Sequence, residues 1–387
     1  MTLITEDADL AAFCDRLKGS ELIAVDTEFM RERTYWPKLC LVQVAGPSEA
    51  AAIDPLAGDL DLAPLFALMR APGTIKVFHA ARQDLEIFHR LMDGALPAPV
   101  FDTQVAAMVC GFGDQVSYET LASKLAKARI DKSSRFTDWS LRPLSTRQVT
   151  YAIADVVHLV PIYRKLSARL HASGRADWLA EEMADLTDPA NYAADPEQAF
   201  RRVKSRSGNG RMLAVLRELA AWREREAQTR DVPRAWVLRD EAMLEIAHHT
   251  PTTADELGRT RGFSRKQAES APGEAILAAV ARGLAAPEAE WPETDFKREL
   301  PRGVGAVCDL LKVVLKMKCD EADVAQRLVA SSDDVEQIAA LGEEANVPAL
   351  HGWRRQVFGE AALKVRTGAL ALVIRGRKLE LIPAEGG

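Results

Sequence analysis

The 387-residue sequence has no long apolar run. Its longest stretch without a charged side chain, 103–113, is 11 residues, against the ~18 or more that a membrane-spanning helix needs. The first ten residues, MTLITEDADL, contain neither a basic region nor an apolar core and do not read as a secretory signal. Cysteine is scarce and scattered: Cys14, Cys40, Cys110, Cys308 and Cys319 form no CxxC pair and no Cys/His cluster with zinc spacing. They read as buried or free thiols in a reducing compartment. The phosphate-cradling patterns G-x-x-x-x-G-K-[ST] and G-x-G-x-x-G are missing, as are H-E-x-x-H and G-x-S-x-G. The expectation is a soluble, cytoplasmic protein with no membrane association.

What is present suits a multidomain globular chain. The length suggests two or three domains at roughly 100–200 residues each, and 48% hydrophobic with 27% charged residues is an ordinary soluble balance. Net charge is −6, unevenly spread. Residues 1–200 hold 20 basic and 28 acidic side chains, residues 201–387 hold 30 and 28, and the short stretch 201–239 holds 11 and 4. A basic stretch beside an acidic half suggests one region that attracts polyanions and another that concentrates carboxylates. A solvated helix face gives the same count.

The first half alternates β-branched runs with helical patterns. Strand candidates are 22–25, 39–44, 51–54, 75–78 and 100–102, with helical stretches at 62–69, 83–92, 104–110 and 118–126. This mixture predicts an α/β domain with a mixed sheet over residues 1–190. Beyond about Ala199 the strand signal stops. Leu213, Leu216, Leu219, Ala220 and Trp222 follow a 3.6-residue period. Turn formers at 188–196, and three prolines with five acids at 286–301, read as linkers. Two all-α modules are expected, at 205–287 and 300–375, with helices at 304–317, 321–329 and 335–341 in the second. The apolar run 369–374 is long enough only for a final helix or strand.

Chemistry is carried by carboxylates in awkward places. Asp26 and Glu28 end an apolar strand two positions apart, so they point to one face of the sheet. Like charges that close repel unless a cation lies between them, although a strand end in solvent tolerates both. Asp84 opens the helix after the strand 75–78, where the helix dipole favours an acid in any case. Tyr151 and Asp155 stand i and i+4 on an otherwise apolar helix, where a charge is costly unless paired or bound to a cation. Four carboxylates and a phenol suit a phosphodiesterase site with two divalent ions, Mg²⁺ or Mn²⁺.

Asp26-Thr27-Glu28-Phe29, Asp84 and Tyr151-x-x-x-Asp155 resemble the three exonuclease motifs of the DEDD superfamily, tyrosine branch. The flanking text, including Leu41-Val42-Gln43-Val44, Phe101-Asp102-Thr103-Gln104 and Asp138-Trp139-Ser140-Leu141-Arg142-Pro143-Leu144, looks like the ribonuclease D family. Ala80-Ala81-Arg82-Gln83 before Asp84 is the main departure. The resemblance implies an RNase H-like fold and 3′→5′ hydrolysis at RNA 3′ ends, with tRNA precursors as substrate. On the matching positions, Asp26, Glu28, Asp84 and Asp155 hold the metals and Tyr151 orients or helps deprotonate the attacking water. Residues 208–287 look like an HRDC domain, a helical nucleic-acid-binding module, and 300–375 like a divergent second copy.

Further candidates are weaker. Phe29 follows the first motif directly, and Lys132, Arg135, Trp139 and Arg142 lie between the second and third motifs. Such a basic and aromatic segment suits phosphate gripping and base stacking, and equally a buried Trp with solvated cations. His79, His158, His248 and His249 read as packing or surface residues, and Asp102 as a structural acid. Two other functions share these features: a DNA 3′→5′ exonuclease of the same superfamily, and a catalytically silent nucleic-acid-binding protein, whose expected mark is a lost carboxylate. A fragment ending near Asp188 is expected to keep the metal site.

Overall fold

The computed structural model describes residues 2–58, 60–131, 137–205, 209–261, 263–292 and 303–384. Two compact units emerge, and they do not follow chain order. The first comprises Met1–Glu28, Cys40–Asn191 and Glu299–Gly387; the second comprises Phe29–Leu39 and Tyr192–Arg298.

The first unit is built on six strands: β1 (Thr2–Ile4), β2 (Leu22–Met30), β3 (Lys38–Ala45), β4 (Ala50–Ile53), β5 (Ile75–Phe78) and β6 (Val100–Asp102). Their order in the sheet is β1-β4-β3-β2-β5-β6. β3 and β4 pair antiparallel, whereas β2, β5 and β6 run parallel, as do β1 and β4. Five of these strands lie where β-branched runs predicted them. β1 has only three residues, too few for a periodic signal, and is recruited by pairing with Ala51–Ile53. The sheet is buried by α1 (Asp7–Leu17), α2 (Ala63–Arg70), α3 (Arg82–Leu91) and α4 (Thr103–Val109), followed by α5 (Tyr118–Leu121), α6 (Thr146–Val157), α7 (Leu159–Ser173) and α8 (Ala176–Leu186). Leu22, Ala24, Val77 and Phe101 from the strands pack with Ala106, Val156, Ile162 and Leu166 from the helices.

Two caps set the helices that matter most. Asp102 accepts from the backbone N–H groups of Ala80 (3.0 Å), Ala81 (2.8 Å) and Gln104 (2.7 Å). It thereby holds the turn in which Ala80 adopts a left-handed φ of 60° and from which α3 departs. That is the structural role expected of it. Ser145 and Gln148 form a reciprocal capping box that starts α6.

The C-terminal residues of this unit pack on its helices. Trp353 stacks on Trp178 of α8 with centroids 4.3 Å apart and planes 11° from parallel. Arg354 pairs with Glu182 and, at 3.4 Å, with Glu181, while Arg175 donates to the carbonyls of Asp323 (2.9 Å) and Ala322. The predicted helix over 321–329 is instead broken: Val304–Ala322 ends at Asp323, whose φ of 48° is left-handed, and only Gln326–Val329 resumes. The run at 369–374 is a strand, β7 (Leu370–Arg375), paired antiparallel with β8 (Lys378–Pro383).

The second unit is helical, centred on α9 (Gly210–Arg230) and the helix Ala271–Ala285. Leu213, Leu216 and Leu219 meet Met243, Ile246, Ile276 and Val280 in its core. Gly283 permits the close approach: a Cβ there would stand 2.5 Å from the Cα of Val215. The segment Phe29–Leu39 is anchored to α9. Tyr35 donates its hydroxyl to the buried Glu224 and accepts from Arg234 at 2.9 Å, and Asp231 receives the N–H groups of Tyr35 (3.1 Å) and Trp36 (3.0 Å).

Candidate active site

Asp26 and Glu28 emerge where β2 leaves the apolar core; Leu22, Ile23, Ala24 and Val25 are buried, whereas both acids are partly open. Alternation along the strand puts the two carboxylates on one face. Asp155 comes from α6, and one oxygen from each of Asp26, Glu28 and Asp155 lies within 4.8 Å of the others. Tyr151, one turn before Asp155, has its hydroxyl beside that carboxylate. Asp84 is buried in the first turn of α3 and accepts the Thr27 hydroxyl at 2.5 Å. It adds its charge to the group without joining the three-oxygen cluster.

The electrostatics are those of half-buried acids crowded together. Burial, then the charges of Asp84, Asp155 and Glu28, push the Asp26 carboxyl well above the usual carboxylate range. Burial with Asp155 and Asp84 raises Glu28 to about 8. Burial lifts Asp155 to about 7 despite the bond from Tyr151, and Asp84 to about 7 despite the bond from Thr27. Tyr151 is raised above the ordinary phenol range by burial and by Asp155, so it stays neutral. Among the described residues no lysine or arginine ion-pairs with any of the four acids. Such a group either holds protons near neutral pH or exchanges them for a cation.

These residues fit a divalent cation: three convergent hard oxygens, a fourth carboxylate nearby and, among the described residues, no ion-paired lysine or arginine. They border a cleft of 370 Å³ lined by Asp26, Tyr151 and Asp155 together with His79, Gln104, Ser117 and Tyr118. His79 is held by Thr103 (Nδ1 to Oγ1, 2.9 Å) and Tyr118 by the carbonyl of Ala154 (2.7 Å). Sequence reasoning passed over Gln104, Ser117 and Tyr118 as site residues. No spacing links them to the motifs; only the fold brings α4 and α5 to the cleft.

The substrate-binding candidates fare differently. Lys132 and Arg135 lie outside the described residues. Phe29 follows Glu28 on β2 and is partly buried. Trp139 is buried, its ring 6.1 Å from that of Tyr151, and Arg142 is committed to internal partners. Neither presents a free face for gripping phosphate or stacking a base, so both serve the scaffold. The basic stretch 201–239 is likewise less available than its count suggests, since Arg202, Arg217, Arg223, Arg225, Arg230 and Arg234 are all ion-paired.

The mixed sheet delivers two acids from one strand, and one helix a third acid and a tyrosine; similarity to known proteins puts this arrangement among the 3′-5′ exonucleases. A family model of that description matches residues 1–171, and an HRDC-domain model matches residues 212–280. The ribonuclease D of Gluconacetobacter diazotrophicus is 52% identical over 382 residues, covering 99% of this chain and 97% of the relative. That of Jannaschia sp. is 50% identical over 383 residues, 98% of each. The crystal structure of Escherichia coli RNase D, an exoribonuclease involved in structured RNA processing, superposes with a TM-score of 0.82 at 32% identity, over 94% of this chain and 98% of that one. The chain belongs to the ribonuclease D family of 3′-5′ exoribonucleases.

Proposed function

We propose that this chain trims the 3′ ends of structured RNA, tRNA precursors foremost, by phosphodiester hydrolysis at a site holding two divalent cations, Mg²⁺ or Mn²⁺. The observation that carries this reading is the convergence of Asp26, Glu28 and Asp155 within 4.8 Å, with Asp84 beside them and, among the described residues, no lysine or arginine ion-paired to balance the charge. Divalent ions bound there supply the positive charge that offsets the acids and polarises water and phosphate toward attack. Asp26, Glu28 and Asp155 would hold them directly, with Asp84 contributing charge and holding β2 through Thr27. Tyr151 keeps its proton, and with its hydroxyl beside Asp155 its oxygen can accept a hydrogen bond from, and so aim, an attacking water. The cleft beside the cluster has room for the terminal nucleoside.

Structured RNA as the substrate class is supported by the Escherichia coli relative, an exoribonuclease involved in structured RNA processing. The silent-protein alternative lacks its expected mark, because none of the four carboxylates is lost from the sequence. Competition between a tRNA precursor carrying a short 3′ trailer and an unstructured RNA of equal length tests the substrate. The precursor is expected to be shortened first, stopping at the folded body. Equal rates for both RNAs, or digestion through the folded body, contradict the tRNA reading.

A further inference from the structure

A guanidinium has five N–H donors, and every one on Arg142 is used. Nε and an Nη grip the two carboxylate oxygens of Asp54 at 2.7 and 2.6 Å. The other donors reach the carbonyls of Trp139, Leu141 and Cys40, each at 2.7 Å. Asp54 directly follows β4 and is 2% exposed, and Cys40 lies in β3. One side chain therefore fastens the loop 139–142 to two neighbouring strands.

What the loop carries gives this clasp its interest. The indole N–H of Trp139 is buried and has no partner among the described residues. An orphaned donor gains by moving toward water, so the indole needs an external hold to remain in place. Arg142 supplies it through the Trp139 carbonyl. The Trp139 ring lies 6.1 Å from the Tyr151 ring at 33°, and a few residues after Arg142 the Ser145 cap starts the helix that bears Tyr151. Neither Arg142 nor Asp54 lines the cleft.

We propose that Arg142 is a positioning residue for Tyr151: its clasp on Asp54, Cys40 and Trp139 holds the indole against the phenol and fixes where the hydroxyl points. This rests on the reading of Tyr151 as the group that aims the water. Lysine keeps the charge but loses the planar fork and two of the five donors, and Asp54→Asn keeps the shape but weakens the fork.

The test is a double-mutant cycle on a short single-stranded RNA with Mg²⁺, measuring kcat, KM and melting temperature for Arg142→Lys, Asp54→Asn, Tyr151→Phe and the pairs with Tyr151→Phe. Arg142→Lys is expected to lower kcat by roughly 10- to 100-fold, the range for misplacing a reacting group, with KM changed less than about twofold. In the Tyr151→Phe background the same change is expected to cost less than about twofold, because the group it positions is already gone. Losses that multiply in full overturn the proposal. A Tyr151→Phe enzyme at the wild-type rate overturns the reading of Tyr151 itself, and the clasp's role with it. Should Arg142→Lys not fold, Asp54→Asn carries the same cycle and the same two outcomes.

Discussion

Thr27 donates its hydroxyl to Asp84 at 2.5 Å, joining residues 57 positions apart. Alternation places Thr27 on the opposite pleat from Asp26 and Glu28. Asp84 thus engages β2 through Thr27, adding charge to the cluster and anchoring the strand that displays it. Three of the four acids bring an oxygen within 4.8 Å of one another, and the fourth is bonded to the strand that carries two of them.

Asp155→Asn and Asp84→Asn each keep the side-chain shape and remove a charge. Both are expected to lower exonuclease kcat by more than about 100-fold, on the scale of removing an electrostatic contact in a water-poor site. Circular dichroism and melting in the absence of Mg²⁺ should be retained or improved, since like-charge repulsion is relieved. Activity in either variant within tenfold of wild type would remove that acid from the site.

Tyr151→Phe removes only a hydroxyl. It is expected to lower kcat by roughly 10²–10⁴, the usual contribution of a positioned proton-transfer group, with RNA affinity nearly unchanged. Steady-state kinetics on a short RNA checks this, and a raised KM with normal kcat would mark the phenol as a binding contact instead.

The acids also couple metal to pH. Their carboxyls bind protons more tightly in the folded protein, near 7 for Asp84 and Asp155 and near 8 for Glu28, than the ~4 of an unfolded chain. The folded state therefore holds more protons between about pH 4 and 8, and these groups cost the metal-free protein stability as pH rises through that window. A bound cation removes the cost. The rise in melting temperature on adding Mg²⁺ is expected to grow from pH 5 to pH 8; a rise independent of pH contradicts the assignment.

Removing the C-terminal residues is expected to weaken the nuclease. Trp353→Ala deletes the ring stacked on Trp178 and should destabilise the protein by about 3–5 kcal/mol, as for other buried Trp→Ala changes. Denaturant unfolding measures it. A chain ending near Asp188 loses that stack, the Arg354 pairs with Glu181 and Glu182, and the α9 partners of Tyr35. It is expected to melt well below the full chain, so its acids alone are a poor guide to its activity. A fragment as stable as the whole would show these contacts to be incidental.

Much of this was legible in the residues. Short β-branched runs place five of the six strands of the larger sheet, and the spacings of Asp26 with Glu28 and of Tyr151 with Asp155 put each pair on one face. What stayed hidden depends on residues far apart in sequence. Arg142 reads as a phosphate-gripping cation until Asp54 and Cys40 arrive beside it, and Trp139 as a stacking platform until the fold buries it. The excess charge of 201–239 looks free because Glu197 and Asp240, which neutralise Arg225 and Arg223, lie outside the window counted. The break at Asp323 depends on a left-handed residue that helical periodicity does not foresee.

The central claim is metal-dependent hydrolysis from RNA 3′ ends by the cluster of Asp26, Glu28, Asp84 and Asp155. It is tested most directly by incubating matched RNA and DNA strands, labelled at either the 3′ or the 5′ end, with Mg²⁺ and with excess EDTA. The expected result is that 3′-labelled RNA releases a labelled mononucleotide at the first time point, while 5′-labelled RNA shortens stepwise. DNA should react far more slowly, and EDTA should stop every reaction. Release of the 5′ label first, DNA cleaved as fast as RNA, or undiminished turnover in EDTA would contradict it.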